Sequence, residues 1–452
     1  MKKQYLVTLP NKILHEKATK VTSFNDELKD QINLMVKLLR EESGVGLAAN
    51  QVGFNNRVVV IEFTNNPPHK EDIPLTIFIN PEIIEMTEEK KCAEEGCLSV
   101  PKVYLDVDRA TSLKVKYQNE DGQTIKFAPK GLLARILQHE VDHINGTLFT
   151  DRVKEQYFTK FPDLKKTKLL FCGSGEFGAR VLESLYLIGF DFEIITETAK
   201  PAGRKRELKP TPVAEIAKRY GIKYIEVEKS TLNSKFSGFK PFDLLLCADF
   251  GQKIPAEILT KPKIAAINIH PSLLPKYQGP TPIQTAILNG EKETGVTIIK
   301  MSPEIDKGPI LIQGTTEIFD DEDTPALRDR LAVAGVKLLL KLLPELSNRN
   351  TDGREQNNIL ATKTRKFTKE DALIDWLKTP QEIDRKILAF YPWPGTYTLI
   401  DNKRLIVHAA HLENDLLVLD VVQLEGKSPV YWQDFISNYK GKKPDWFKKI
   451  KI

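Results

Sequence analysis

Leu169-Leu170-Phe171-Cys172-Gly173-Ser174-Gly175-Glu176-Phe177-Gly178 is the stretch that decides the fold of the larger part of this chain. Four apolar residues make a short buried strand, and a glycine-rich turn follows and opens a helix. The pattern repeats downstream. Phe192-Glu193-Ile194-Ile195, Tyr224-Ile225-Glu226-Val227, Leu244-Leu245-Leu246-Cys247 and Ala266-Ile267-Asn268-Ile269 read as strands with amphipathic helices between them. Such alternation predicts an α/β domain with a doubly wound, mostly parallel sheet. The turn has the form of a dinucleotide fingerprint, with Glu193 and Glu197 at a distance suited to a ribose-binding acid. Turns of this kind are common in doubly wound folds, so the turn alone does not argue for a nicotinamide cofactor.

Reading outward sets the boundaries. Before this domain, Val153 to Lys168 is rich in lysine, carries a Phe-Pro-Asp turn at 161–163, and reads as a linker. The first region, 1–152, has short strands such as Arg57-Val58-Val59-Val60-Ile61 and ends in an apolar-periodic helix near 131–144. After the parallel-sheet domain a polar stretch with Asn-Arg-Asn-Thr-Asp-Gly reads as a second linker. Strand-like runs at 397–400, 405–408 and 416–419 then suggest a small, shortened β-barrel of OB-like form. The expected organisation is 1–152, an α+β domain; 153–167, linker; 168–346, the α/β domain; 347–368, linker; and 369–452, the barrel.

Composition sets limits. The 452 residues are 41% hydrophobic and 28% charged with both signs interspersed, which describes a soluble globular protein with ample core. A formal charge of +5 is too small an excess to argue for nucleic acid without a local basic patch. The start, Met1 to Pro10, lacks the apolar segment of a secretory leader, and no stretch is long enough to span a bilayer. The expectation is a cytoplasmic protein with no membrane partner and four reduced cysteines acting as ligands or core residues, Cys92 as a buried small hydrophobe.

The strongest chemical signal is Gln138-His139-Glu140-Val141-Asp142-His143. Leu133, Ile136, Leu137 and Ile144 keep helical spacing, and Asn145-Gly146 is a stop signal. On a helix His139 and His143, at i and i+4, share a face and can grip one metal, with Glu140 beside them as a base. Two surface histidines is the bland alternative, and a coincidence of that kind is improbable in a chain with only seven. A catalytic metal needs a third protein ligand. Cys97, glycine-flanked in Glu94-Glu95-Gly96-Cys97-Leu98-Ser99, supplies a thiolate.

These two segments and Gly44-Val45-Gly46-Leu47-Ala48-Ala49-Asn50-Gln51-Val52-Gly53 together resemble the three motifs of peptide deformylases, in the family's order and spacing. The resemblance implies Cys97, His139 and His143 as ligands of Fe(II), a set that equally suits zinc or another divalent metal. It implies Glu140 as proton carrier, and the Gln51 amide and Leu98 backbone N–H as donors to the oxyanion. It also implies formyl-Met nascent peptides as substrate, met at the ribosome. Many members continue into a further C-terminal helix, where this chain reads as running into the linker.

A second constellation lies in the α/β domain. Asn268 and His270, two apart on a strand, point to one face at the strand's carboxyl end, where open α/β sheets place their ligands. Asp306, in Pro303-Glu304-Ile305-Asp306-Lys307-Gly308-Pro309, is a turn-flanked acid able to orient an imidazole. Asn268-x-His270 with Ser272-Leu273-Leu274-Pro275, and Asp306-Lys307-Gly308, resemble the signature of 10-formyltetrahydrofolate-dependent formyltransferases. The resemblance implies that Asn268 and His270 polarise the formyl oxygen, and that Asp306 positions His270 and helps move the amine's proton. Ser272, Leu273, Leu274, Pro275, Phe250 and Gly251 would line the site of 10-formyltetrahydrofolate, the co-substrate. The acceptor amine is read from Lys200 to Pro212, a Gly/Pro-rich loop with Arg204, Lys205 and Arg206 that suits RNA phosphates. It resembles the loop of methionyl-tRNA formyltransferases, implying initiator Met-tRNA as partner. The rival readings are formylation of an amino sugar, an inactive scaffold, and a nicotinamide-linked oxidoreductase.

Overall fold

A computed structural model of the chain describes residues 6–64, 72–202, 207–237, 241–348, 352–441 and 444–451. The chain divides into two compact units. The first runs to Lys166 and includes Ser184–Phe190; the second holds Thr167–Glu183 and continues from Asp191. Among the described residues no helix is long and apolar enough to cross a membrane.

The first unit is built on one strand with two apolar faces. Strands β1 (Gly46–Ala48), β2 (Val58–Phe63), β3 (Ile73–Met86), β6 (Leu113–Gln118) and β7 (Thr124–Phe127) form an antiparallel sheet in the order β1-β2-β3-β6-β7. Strands β4 (Lys90–Cys97) and β5 (Val100–Ala110) make a separate two-stranded ribbon. Because side chains alternate along a strand, Val58 and Val60 pack under helix α1 (Asp26–Glu41), with Ile32, Met35 and Leu39. Val59 and Ile61 pack under helix α2 (Gly131–Ile144), with Leu137, Val141 and Ile144. Each such side chain, taken from water, contributes about 1.5–3 kcal/mol.

Two expectations fail here. Val153 onward is not a linker: helix α3 (Phe149–Lys160) continues the first unit, and a short 3-10 turn follows at Pro162–Lys166. Phe149, Val153 and Phe158 are buried, and the Gln156 amide bonds to both backbone groups of Asp108. The stretch looks like a linker because it is polar, yet Arg, Lys, Glu and Gln are good helix formers. A further helix therefore follows α2 where the sequence reading expected a linker. Cys92 is exposed rather than buried. It has the outward parity of β4, whose inward positions are Ala93, Glu95 and Cys97.

The second unit is the doubly wound sheet. Its order is β12-β9-β8-β13-β14-β15-β16, from β8 (Leu169–Cys172), β9 (Phe192–Glu197), β12 (Tyr224–Val227), β13 (Leu244–Cys247), β14 (Ala265–His270), β15 (Glu293–Lys300) and β16 (Ile310–Glu317). The first five are parallel, and β15 and β16 are antiparallel additions at one edge. The chain moves outward from β8 in one direction, then returns to β13 on its other side, so the topological switch lies between β8 and β13.

The second expected linker is also structured. After helix Thr324–Ser347, residues 352–365 bridge to β16 at Arg354 and to the 275–281 loop at Lys363. The last region is a sheet of β17 (Tyr397–Ile400), β18 (Lys403–Glu413), β19 (Leu416–Leu424) and β20 (Val430–Tyr431), with β21 (Ile450–Lys451) also on β19. Where the sequence reading expected a small, shortened OB-like barrel, the described strands pair in that single five-stranded sheet. The short gap between β18 and β19 is a tight hairpin turn, with Asn414 at φ 51° and Asp415 at φ 61°.

Candidate active sites

In the first unit, the helix and the ribbon bring the three predicted ligands together. Ligand atoms of Cys97, His139 and His143 all lie within 4.8 Å of one another, with Cys97 Sγ 3.2 Å from His143 Nε2. Helix α2 is locked in place by Gln138, whose amide exchanges hydrogen bonds with the Ala110 backbone at 3.0 and 3.1 Å. The Asn50 amide donates to the His143 carbonyl at 2.7 Å. Gln51 is oriented by accepting from the Ala48 N–H at 2.8 Å, which turns its amide nitrogen toward Cys97 Sγ at 3.5 Å and Ser99 Oγ at 3.3 Å. Leu98 sits at the turn between β4 and β5.

Glu140 lies beneath these groups. Its Oε2 is buried without a hydrogen-bond partner, and burial pushes the carboxyl up to about 7. Gly46 leaves it room: a Cβ there would lie 2.9 Å from Glu140 Cγ and Cδ and closer still to Oε1. The cleft they line is about 1210 Å³, with Gln51, Cys97, His139 and Glu140 among its lining residues together with Leu6, Val45, Leu98, Tyr104 and Ile136.

A network absent from the sequence reading supports His139. Glu95 Oε2 is 3.0 Å from His139 Nδ1, which leaves Nε2 as the ligand atom. Arg109 grips both Glu95 oxygens at 2.9 and 3.0 Å and also reaches Asp142 at 2.5 Å. Arg135 adds a bond to Glu95 at 2.7 Å, and Arg152 of α3 closes on Asp142 at 2.6 Å. Burial opposes the Glu95 charge, but His139 and Arg109 outweigh it and hold the carboxyl at about 2. The signal was in the sequence. Glu95 shares inward parity with Cys97, and Asp142 lies inside the histidine motif, but their partner Arg109 has no fixed spacing to either.

These residues fit a divalent metal. One soft thiolate and two imidazoles converge, one imidazole has its remote nitrogen on a carboxylate, and an unpartnered buried carboxylate oxygen is adjacent.

In the second unit, Asn268 and His270 sit at the carboxyl end of β14, beside the switch point, as expected. Asp306 reaches both: its Oδ1 is 3.3 Å from Asn268 Nδ2 and 3.7 Å from His270 Nδ1. His270 Nε2 is 3.0 Å from the Tyr277 carbonyl. A carbonyl only accepts, so Nε2 carries a hydrogen and Nδ1 is the nitrogen that faces Asp306. Asp306 itself has φ 58° and accepts from the Gly279 N–H at 2.8 Å. Sequence reading missed Tyr277 and Gly279, because backbone groups leave no mark in a motif.

The predicted folate residues divide. Ser272 is fully buried and its hydroxyl donates to the Lys276 carbonyl at 2.7 Å. Leu274 is buried with Ile299 and Ile310. Both side chains thus take part in building this turn. Leu273 and Pro275 are half-buried, and Phe250 is half-buried against the β8–β13 core. Gly251 approaches Glu197, whose carboxylate a Cβ would meet at 2.8 Å. Arg204, Lys205 and Arg206 lie outside the described residues. Their flanks, β10 (Lys200–Ala202) and β11 (Glu207–Lys209), pair as an antiparallel hairpin, so the basic stretch joins two strands that the sequence reading did not foresee.

The glycine-rich turn has an internal occupant. Asp249 accepts from the Phe177 and Gly178 N–H groups with its carboxylate, which burial pushes up, and from the Ser174 and Gly175 N–H groups with its carbonyl at 2.9 and 3.1 Å. A Cβ on Gly175 would overlap that carboxylate. The chain's own acid thus takes the helix N-terminus that a dinucleotide phosphate would need.

Residues 3–158 match the family described as polypeptide deformylase, residues 165–343 the formyl transferase family, and 366–416 the formyl transferase C-terminal domain. The chain is similar to a methionyl-tRNA formyltransferase from Staphylococcus epidermidis, 34% identical over 248 residues, covering 54% of this chain and 80% of that protein. It is 39% identical over 236 residues to a methionyl-tRNA formyltransferase from Enterococcus faecalis, covering 51% and 75%. A solved peptide deformylase from Synechococcus elongatus in complex with actinonin is 39% identical, covering 32% of this chain and 76% of that one at a TM-score of 0.30.

Proposed function

This chain belongs to the methionyl-tRNA formyltransferase family, with a polypeptide deformylase domain ahead of it, and from that membership we infer that it adds a formyl group to methionine on initiator tRNA and removes one from formyl-Met peptides. The observation that carries this is that each unit has a separate, closed constellation of its own: Cys97, His139, His143 and Glu140 in one, Asn268, His270 and Asp306 in the other. The two reactions oppose each other but act on different substrates, charged tRNA before initiation and the peptide after it, so their fusion creates no futile cycle.

For deformylation, Cys97, His139 and His143 hold the metal, for which Fe(II) is the proposed native ion and zinc an alternative. Bound there, such an ion supplies the Lewis acidity that polarises a carbonyl and acidifies water. Glu140 accepts a proton from the attacking water and returns it to the departing amine as the formyl C–N bond breaks. The Gln51 amide and the Leu98 N–H donate to the oxygen as it gains charge. Leu6, Val45 and Ile136 offer apolar wall for a methionine side chain.

For formyl transfer, the amine of charged methionine attacks the formyl carbon of 10-formyltetrahydrofolate. Asn268 and His270 polarise the formyl oxygen as it becomes tetrahedral, Asn268 donating through Nδ2. Asp306 holds His270 and takes up the amine's proton. The folate nitrogen then leaves as its bond to the formyl carbon breaks, taking that proton from Asp306. The backbone at Ser272–Pro275, Leu273 and the Phe250–Gly251 loop border the folate. Arg204, Lys205 and Arg206 lie on acceptor-end phosphates of the tRNA. We place both activities in the cytoplasm, deformylation at or near the ribosome.

The test offers the purified chain charged initiator tRNA with 10-formyltetrahydrofolate, and separately a formyl-Met peptide. Formylated tRNA and free formate are the expected products. Formylation of an amino sugar with the tRNA ignored, or no turnover at either site, overturns the reading.

A further inference from the structure

Residues 352–365 lie across the two loops that complete the second site. Arg354 and Ile310 exchange backbone hydrogen bonds at 2.8 Å each way. Further along, the Thr362 hydroxyl accepts from the Tyr277 N–H at 2.8 Å. The Thr362 carbonyl accepts from the Gln278 N–H at 2.9 Å, and the Thr364 N–H donates to the Gln278 carbonyl at 2.7 Å. Between these anchors sits Gln356, buried to 9% exposure. Its amide nitrogen donates to the Asp306 carbonyl at 2.7 Å and the Gly308 carbonyl at 2.8 Å, and its oxygen accepts from Gln278 Nε2 at 3.1 Å. Only this orientation of the amide satisfies two acceptors and one donor at once.

The bonds fall where the backbone most needs them. Asp306 has φ 58° and Tyr277 φ 61°, left-handed conformations that a side chain adopts only where its surroundings over-determine them. Asp306 carries the carboxylate that reaches Asn268 and His270, and Tyr277 carries the carbonyl opposite His270 Nε2. Gln356 bonds to the first loop and, through Gln278, is joined to the second.

We propose that Gln356 is a positioning residue for formyl transfer, holding the Asp306 loop so that the carboxylate stays in register with Asn268 and His270. The proposal rests on the reading of those three residues as the formyl-transfer site. Gln356 need not touch either substrate, because its amide is spent on the two carbonyls and on Gln278. A glutamine between two domains carries no motif, and only the fold brings it under the acid.

The experiment uses the full chain carrying Gln356→Met, which keeps length and volume and removes both donors. Formyl transfer to charged initiator tRNA is measured for kcat and for the KM of each substrate, with deformylation of a formyl-Met peptide in the same sample as the concentration reference. The expected result is a kcat lower by about tenfold to a hundredfold, the range for a reacting group displaced by about an ångström, with each KM within about threefold of the parent. In an Asp306→Asn background the same substitution should cost little more, because both changes act through one carboxylate. A purely structural role multiplies the same factor into either background. Unchanged kcat, a loss confined to KM, or full additivity with Asp306→Asn overturns the proposal. If melting finds the second unit unfolded in Gln356→Met, Gln278→Met removes only the donor that steadies the Gln356 amide. It should reproduce the kcat loss at smaller size, and unchanged kcat there overturns the proposal equally. A parent protein that never formylates the tRNA defeats the functional reading instead, before any variant is made.

Discussion

Gly46→Ala is the substitution that separates catalysis from architecture in the deformylase unit. Gly46 is buried in β1 and is not among the left-handed glycines, so alanine suits its backbone. The new methyl, however, would meet Glu140: Cγ and Cδ at 2.9 Å and Oε1 nearer. Ordinary contact begins at 3.4 Å, so the carboxylate must swing away by about an ångström. Moving the end of a flexible side chain costs little stability, and the melting temperature should change by what about 1 kcal/mol produces or less. A proton carrier displaced by about an ångström loses about a hundredfold in rate, or about 2.7 kcal/mol in the barrier. Cys97, His139 and His143 are untouched, so metal content should match the parent. The assay is steady-state release of formate from a formyl-Met peptide, with metal analysis on the same sample and formyl transfer as an internal control. Glu140→Gln, which removes the proton acceptor outright, should lose at least as much. Full activity in Gly46→Ala with bound metal would refute the assignment of Glu140 as proton carrier in this pocket. A parallel fall in formyl transfer would refute the independence of the two sites.

His270→Ala and Asp306→Ala should each lower formyl transfer by about 10²- to 10⁴-fold while deformylation and tRNA binding persist; loss of both activities in a folded variant contradicts the assignment. Replacing Arg204, Lys205 and Arg206 together by alanine should weaken tRNA binding and flatten its salt dependence by about 0.9 in slope for each phosphate no longer neutralised; normal formylation at physiological salt makes the stretch an ordinary solvated surface. Asp384 gives a pH test of the C-terminal region. Burial raises its carboxyl from 3.8 to about 6, against the opposing pull of His411 and Arg385. The folded state therefore holds the proton more tightly than the unfolded chain, and stability is lost as pH rises from about 4 through 6. Asp384→Asn should stabilise that region by roughly 1–3 kcal/mol above pH 6 and hardly at all below pH 4, read as the pH dependence of its melting transition. A stability gain independent of pH would mean that ionisation is not the cause.

Local chemistry was legible in the chain itself. The His139–His143 spacing on a helix and Asn268 two residues from His270 both depend on periods of 3.6 and 2 that any sequence displays. The alternation from Leu169 to Ile269 likewise forecast a mainly parallel sheet, and five of its seven strands are parallel. What escaped depends on residues far apart in the chain. Val153–Lys160 and 352–365 read as linkers because they are polar, and polarity says nothing of which carbonyls a glutamine or arginine will meet. Arg109 finds Glu95 and Asp142, Gln356 finds Asp306 and Gly308, and Asp249 fills a turn shaped for a phosphate. The sequence by itself determined which side chains could do chemistry and the helix or strand that carries each. Only the tertiary structure decided which buried polar groups answer one another, since a hydrogen bond acts over about 3 Å and is indifferent to the length of chain between its partners.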